Sequence, residues 1–118
     1  MNDLSYRYKK INDRILTACE IAQRDPKSVK LLAVSKTKPP EMVDEFASLG
    51  QKFFGENKIQ EAQGKIPLCI SGLQWHLIGH LQSNKAKIAA NLFDMVHSVD
   101  SLKIMNALDS NAETTLPI

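Results

Sequence analysis

Lys36 follows a run of small and apolar residues, LLAVS at 31–35, whose composition is typical of a buried strand. Prolines at positions 39 and 40 end any strand soon after it. A lysine at a strand end can be a solvated cation, a counter-charge for phosphate, or an amine that forms a Schiff base with a carbonyl compound. The apolar run favours the third use, because an amine that loses hydration at the mouth of a packed sheet is more often neutral and nucleophilic.

Polar residues follow the other predicted strands as well. Asn57 comes after the second strand, His80 after the third, and Ser98 near the end of the fourth. In parallel α/β folds the ligand lies at the carboxyl ends of the strands, so these positions are candidates for ligand contact. Loops are polar in most proteins, however, so any one of these residues indicates little by itself. Glu56 and Gln60 fit equally well in the first turn of a helix, where acidic groups complement the helix dipole.

The remaining imidazole and indole side chains favour packing over catalysis. His76 lies inside a predicted strand, which indicates a core or supporting position. The three histidines, His76, His80 and His97, fall at different levels of different strands and lack the spacing of a metal site. Trp75 is best explained by packing against helices or the core.

The hydrophobic pattern predicts alternating helices and short strands. Apolar residues at spacings of three and four indicate an amphipathic helix near the N-terminus. Pro40 suits the first turn of a helix, and Gly50 suits a helix end. We expect helices at 4–22, 41–49, 56–65, 83–91 and 101–108, strands at 29–35, 52–55, 74–78 and 95–99, and the start of a fifth strand at 117–118.

This order of elements predicts one α/β domain over residues 1–118, with parallel strands joined by helical crossovers. Two closures are compatible with it, an open doubly wound sheet and a β/α barrel. The chain has 118 residues, well short of the roughly 250 that a complete eight-fold barrel needs. A barrel would therefore be present only in part.

Composition places the chain among ordinary globular proteins. Hydrophobic residues make up 43% and charged residues 24%, and the formal net charge is +2. Basic residues are interspersed with acidic ones, so nothing indicates a nucleic-acid or membrane surface. The N-terminal segment lacks the apolar core of a signal peptide, and Cys19 and Cys69 have neither a disulfide framework nor a metal-ligand spacing. We expect a cytoplasmic protein with two buried thiols.

Four motifs together resemble the pyridoxal phosphate homeostasis protein family: AVSKTKP, FGENKIQEA, WHLIGHLQSNK and HSVDS, in this order and spacing. The resemblance implies the N-terminal half of a (β/α)8 barrel of the TIM type, similar to the N-terminal domain of alanine racemase, preceded by a helix. It also implies that pyridoxal 5′-phosphate (PLP) is bound as a covalent imine to Lys36, with Asn57 beside the cofactor. His80 occupies a position that varies in the family, and Ser98 belongs to the fourth motif with a less defined role.

The function implied by the resemblance is intracellular PLP homeostasis, that is, storage and delivery of the cofactor, with PLP-dependent apo-enzymes as candidate recipients and no established reaction. The chain stops near the fifth strand. By resemblance, the other half would carry the glycine- and serine-rich phosphate cup and an arginine facing the pyridine nitrogen. We therefore expect a fragment that holds PLP weakly and self-associates through its open sheet edges.

Two alternatives remain open from the residues. The first is a PLP-dependent amino-acid racemase, which needs a proton donor on each face of the cofactor, although Lys36 supplies only one of them. The second is an interaction module without a cofactor, in which Lys36 is an ordinary surface charge. A visible absorption band with PLP separates the interaction module from the other two, and turnover of amino acids separates the racemase.

Overall fold

The computed structural model describes residues 3–118, in which helices alternate with short strands. Three single turns of 3-10 helix lie at Pro26–Ser28, Ile66–Leu68 and Ser83–Lys85. The main elements are α1 (Asp3–Ile21), β1 (Ala33–Val34), α2 (Pro40–Ser48), β2 (Phe53–Glu56), α3 (Ile59–Lys65), β3 (Gln74–Leu77), α4 (Ala86–Leu92), β4 (Met95–Val96) and α5 (Leu102–Asn111). The predicted α/β class with an N-terminal helix is confirmed.

The strands form one parallel sheet whose spatial order, β1-β2-β3-β4, is the order along the chain. A doubly wound sheet reverses direction at a switch point, whereas a barrel adds each new strand on the same side of the last one. Sequential order therefore favours the barrel over the open sheet, a choice that the alternation of elements alone left open. Right-handed crossovers that always advance in one direction place their helices on one face.

The two faces of the sheet differ in burial. Phe54, Trp75, Leu77 and Val96 are all buried on the face that the helices cover. Trp75 packs beside Phe54 with ring centroids 5.5 Å apart, which confirms the packing role predicted for this residue. On the opposite, concave face, Val34 is 51% exposed. The core thus lies between sheet and helices, and the concave face is open.

Strand β1 is shorter than the predicted segment 29–35. Its register with β2 covers only Ala33 and Val34, and the side-chain amide of Gln51 donates to the carbonyl of Leu31 at 2.6 Å. A side chain thus replaces the strand-to-strand hydrogen bond that would have lengthened β1. The fourth strand is also short, ending at Val96 instead of the predicted position 99.

Helix α3 begins three residues later than predicted. Glu56 is the last residue of β2 and is fully buried, so the interpretation of Glu56 as a first-turn helix residue is wrong. Strand alternation places it on the helix-facing side, where α3 covers it. Helix α2 and its end agree with the prediction, because Gly50 has a φ of 113° and ends the helix in the left-handed conformation that glycine adopts freely.

Helix α1 forms as predicted but packs sparsely. Only Cys19 is buried in it, while Leu16 and Ile11 remain exposed. Tyr8 makes the main contact, with its ring edge-on to Phe46 at 5.2 Å between centroids. Both cysteines are free, and the predicted burial holds for Cys19, whereas Cys69 is half-buried.

The last described residues begin to extend the sheet. The N–H of Val96 donates to the carbonyl of Pro117 at 3.1 Å, the contact expected between β4 and a following parallel strand. No strand is yet formed at 117–118. Among the helices of residues 3–118, none is both long and apolar enough to cross a membrane.

Candidate functional site

The carboxyl ends of the four strands bring one row of residues together on the concave face. The strand register pairs Val34, Gly55, His76 and Met95 across the sheet. Ladder bonds continue past this level, from the N–H groups of Ser35, Ile78 and His97 to the carbonyls of Gly55, Glu56 and Leu77. Two residues past this level, beyond the strand ends, lie Lys36, Asn57, Ile78 and His97, the positions that strand alternation assigns to the same face.

Lys36 occupies the second position of a four-residue turn. The N–H of Lys38 donates to the carbonyl of Ser35 at 3.0 Å and closes this turn. Lys36 is exposed, and none of the ion pairs within residues 3–118 involves its amine. The loss of hydration expected for this amine at the mouth of the sheet is therefore not seen, because the side chain is open to solvent just past the carboxyl end of β1.

Distances along the row separate the candidates. Adjacent strands lie about 4.8 Å apart, so Asn57 is the neighbour of Lys36 while His97, three strands away, is roughly 14 Å from it along the sheet. A single small molecule covalently linked to Lys36 would therefore meet Asn57 first. His80 and Ser98 lie beyond the row, in the loops that follow β3 and β4.

Gly79 makes the close approach of two loops possible. A Cβ at this position would lie 2.1 Å from the carbonyl oxygen of Asn57 and 2.8 Å from its Cα. The backbone of the loop after β3 therefore rests directly on Asn57, and any larger residue would push the two loops apart. The main chain of Asn57 is therefore held by this packing.

Ser98 and His80 differ in how far the protein itself engages them. The hydroxyl of Ser98 donates a short hydrogen bond to the carbonyl of Gly79, so it ties the loop after β4 to the loop after β3. His80 is 72% exposed, and its Nδ1 lies 3.7 Å from a carboxylate oxygen of Asp100, too far for a hydrogen bond. Among the predicted site residues, Lys36 and Asn57 follow the neighbouring strands β1 and β2, and Ser98 bonds to the loop after β3.

His76 and His97 form a pair on the concave face. His76 Nδ1 and His97 Nε2 are 2.9 Å apart, so the expectation that the histidines are scattered is wrong for these two. Burial, then the neighbouring His97, lowers the pKa of His76. Within residues 3–118, no group of three or more His, Cys, Asp or Glu side chains is arranged to hold a metal ion.

Behind the strand ends, on the helix-facing side, lies a buried ionic network that the sequence analysis missed. Lys65 donates to Glu56 at 3.0 Å, to Glu61 at 2.9 Å and to the carbonyl of Ser35 at 2.7 Å. Ser35 also donates from its hydroxyl to Glu56, and Glu61 accepts from the N–H of Thr37 at 2.6 Å. Lys65 is 6% exposed and Glu56 is fully buried.

Electrostatics within the network favour the charged forms. Burial by itself would lower the pKa of Lys65, but hydrogen bonds and attraction from Glu61 and Glu56 outweigh it and raise the pKa. The hydrogen bond from Lys65 likewise lowers the pKa of Glu61. All the buried side-chain nitrogen and oxygen atoms in the described residues have hydrogen-bond partners, so the network carries no orphaned charge.

One sequence signal could have indicated this network. Glu61 and Lys65 are four residues apart, the spacing at which opposite charges meet on a helix face. Glu56 gave no such signal, because a carboxylate at a predicted strand-to-helix junction is normally exposed. Its burial is explained only by the tertiary contact with Lys65.

The comparisons with known proteins give a consistent result, although no family model matches the chain. A pyridoxal phosphate homeostasis protein of Escherichia coli K12 is 41% identical over 121 residues, which cover 99% of this chain and 52% of that protein. Its counterpart in Pseudomonas aeruginosa is 46% identical over 118 residues, covering 99% and 51%. This chain is a homologue of the pyridoxal phosphate homeostasis proteins. It spans about half the length of these curated relatives.

Solved structures agree with the resemblance. PipY of Synechococcus elongatus, determined with PLP bound, matches with a TM-score of 0.71 and 41% identity over 82% of this chain and 47% of PipY. A protein of unknown function from Bifidobacterium adolescentis matches with a TM-score of 0.81 and 28% identity, over 93% of this chain and 51% of that protein. The sheet, its crossovers and the N-terminal helix correspond to the N-terminal half of the PipY barrel.

Proposed function

We propose that this chain takes part in PLP homeostasis and binds PLP through a Schiff base to Lys36. The observation that carries the proposal is the exposed side chain of Lys36 just past the carboxyl end of β1, the strand that pairs in parallel with β2, which Asn57 directly follows. Ligands in β/α barrels bind at this end of the strands. The homology to PLP homeostasis proteins and to PLP-bound PipY supports the same cofactor.

The residues present fit one end of this cofactor. Lys36 offers a primary amine for an aldehyde, and Asn57 offers an amide that can donate to or accept from a ring hydroxyl. PLP supplies, when bound, an aldehyde that condenses with a lysine amine, forming a C=N bond with loss of one water. The two hydrogens that leave the Lys36 nitrogen would depart with the aldehyde oxygen as that water, and the exposed position of Lys36 would let it escape to solvent.

The remaining candidates would act around this pair. Ser98 holds the loop after β4 against Gly79, which in turn rests on Asn57. In this proposal Ser98 supports the cofactor position through the loop, and His80 contacts the cofactor only from the rim. Because a Schiff base forms reversibly, water or a competing amine can release PLP from Lys36. Released PLP could then pass to PLP-dependent apo-enzymes, which would give storage and delivery of the cofactor. Free cysteines suit a reducing compartment, and we propose the cytoplasm.

The experiment is titration of the purified chain with PLP, followed by absorbance in the visible range. Lys36→Ala should abolish the band while leaving the thermal midpoint unchanged, since the substitution removes an exposed side chain and no core volume. Lys87→Ala, which removes an equally exposed lysine on α4, is the matched control and should keep the band. Added alanine or serine should give no sustained turnover.

A Lys36→Ala variant with the parental band would overturn the assignment. Loss of the band in both variants would indicate unspecific damage, which circular dichroism of the two proteins would detect. Turnover of an amino acid would replace the homeostasis function with that of an enzyme.

We further propose that the chain self-associates through the outer edge of β1. That edge has no neighbouring strand within residues 3–118, and the adjacent Val34 is half-exposed. Unpaired strand N–H and C=O groups pair readily with the same groups of a second copy. Sedimentation at several concentrations should give a mass that rises with concentration, whereas a constant monomer mass would contradict this proposal.

A further inference from the structure

Lys36 is held from both sides by a single helix. The residue before it, Ser35, accepts a hydrogen bond on its carbonyl from Lys65 at 2.7 Å. The residue after it, Thr37, donates its N–H to Glu61 at 2.6 Å. Glu61 and Lys65 lie one turn apart on α3 and contact each other at 2.9 Å. We call these two side chains the α3 clamp.

The backbone conformation of Thr37 is unfavourable by itself, so the turn needs a stabilising contact from outside. Thr37 is the third residue of the turn that Lys36 belongs to, and its φ is 64°. Glycine or asparagine is preferred at this position of such a turn, because a positive φ is costly for a β-branched residue. The hydrogen bond from Thr37 to the Glu61 carboxylate offsets that cost and keeps the backbone in the turn.

The clamp is anchored against the core and cannot shift easily. Lys65 and Glu56 are both buried, and Glu56 accepts the hydroxyl of Ser35 as well as the ammonium of Lys65. Lys65 uses its three donors on three different partners, so its position is fixed in every direction. The turn is thereby tied to β2 and α3 together.

We propose that Glu61 and Lys65 are positioning residues for Lys36: they fix the turn and so aim the Lys36 amine toward the open concave face. The proposal rests on the function proposed for Lys36. Neither side chain reaches the cofactor in this account. Their effect passes through the backbone on each side of Lys36, and a change of about 1 Å in such a position can slow a reaction by about a hundredfold.

The test removes the Glu61 side of the clamp and follows two quantities. Glu61→Ala deletes the acceptor for Thr37, Glu61→Gln retains an oxygen at the same distance, and Glu20→Ala on α1 is the matched control for an exposed helical glutamate. Amide hydrogen exchange of Thr37 measures how firmly the turn is held, because the N–H exchanges only when its hydrogen bond to Glu61 opens. The rate of PLP attachment to Lys36, trapped with borohydride and measured by peptide mapping against Lys87 in the same sample, reports the aim of the amine.

In Glu61→Ala we expect Thr37 exchange to become about tenfold faster, as loss of one charge-assisted hydrogen bond implies. Attachment of PLP to Lys36 should slow by about tenfold relative to attachment to Lys87. The Glu61→Gln variant should show only a small part of both changes, and Glu20→Ala should show neither. A thermal midpoint well above the assay temperature in all variants excludes unfolding as the cause.

Unchanged attachment at Lys36 in Glu61→Ala would overturn the positioning role and leave a contact that only stabilises the fold. If the parent chain forms no adduct at Lys36, the proposed function fails instead. In that case the clamp is supported by faster Thr37 exchange in Glu61→Ala, and it is overturned by exchange at the parental rate.

Discussion

Lys36 and Lys65 lie on opposite faces of the same strand ends, and the fold uses the two amines differently. On the helix-facing side, Lys65 is buried, paired with two carboxylates and bonded to the carbonyl of Ser35. On the concave side, Lys36 is exposed and takes part in none of the ion pairs found within residues 3–118. Lys65 is thus held by its partners, whereas the side chain of Lys36 is accessible to a ligand.

The two sides of the turn that contains Lys36 therefore have different roles in this proposal: one side holds its backbone, and the other leaves space for a ligand. The ionic network fixes the backbone of the turn from behind, through a buried hydrogen bond from Lys65 to Ser35 and an exposed one from Thr37 to Glu61. The concave face in front remains open to a ligand. We therefore expect substitutions in the ionic network to change mainly the stability of the fold and the position of Lys36. Substitutions of residues on the concave face should change mainly the binding of the ligand.

The largest expected effect is that of Lys65→Met. The variant leaves Glu56 buried without its counter-charge, which should lower the free energy of unfolding by about 3–5 kcal/mol. Urea denaturation measures it, with Lys87→Met as the control for an exposed lysine. Replacing both buried partners in Glu56→Leu/Lys65→Met should recover much of the loss, because the only carboxylate then left without Lys65 is that of Glu61, which is 29% exposed to water. A loss in Lys65→Met equal to that in Lys87→Met would show that the network does not stabilise the fold.

A smaller effect is expected from Gly79→Ala. The added Cβ would lie 2.1 Å from the Asn57 carbonyl oxygen, so the two loops must separate, at a cost of about 1–3 kcal/mol. Gly64→Ala is a sharp control, since its Cβ meets nothing within 4 Å and the residue lies inside α3. Alanine there should stabilise the chain by about 0.5–1 kcal/mol. Equal effects of the two substitutions in urea denaturation would contradict the close contact at Asn57.

Ser98→Ala should cost about 1 kcal/mol, the usual contribution of one hydrogen bond, because it removes the donor to Gly79. Ser71→Ala, in an exposed turn, serves as its control. The visible band with PLP should persist in Ser98→Ala with weakened affinity. An abolished band with unchanged stability would instead make Ser98 a direct contact of the cofactor.

The smallest effect concerns pH. The pKa of His76 is lowered in the fold, so the unfolded chain takes up a proton first as the pH falls below about 6.5, the ordinary histidine value. Stability should therefore decrease from that pH down to the lowered pKa and depend little on this group above it. His97, Asp94 and Lys30 are the charged or titratable groups that act on it. Replacement in His76→Asn should flatten this slope in urea titrations, and His80→Asn should not.

The sequence predicted the order of elements and the strand ends better than the network behind them. Lys36 and Asn57 could be predicted as site residues because residues after parallel strands share one edge of the sheet, whatever the exact boundaries are, and their role in cofactor binding stays a prediction. Glu56 was misassigned because its strand extends one residue further than predicted, and in a strand that residue changes from exposed to buried. Contacts such as that between Lys65 and Ser35 join residues 30 positions apart, which no local pattern reports.

The most direct test of the contrast between the two lysines is to map the adduct. The parent chain is incubated with PLP, reduced with borohydride and digested, and each lysine peptide is quantified by mass spectrometry. We expect the reduced adduct on Lys36 well above the level on exposed lysines such as Lys87, and none on the buried Lys65. An adduct on Lys65, or an adduct on Lys36 no more abundant than on Lys87, would contradict the account.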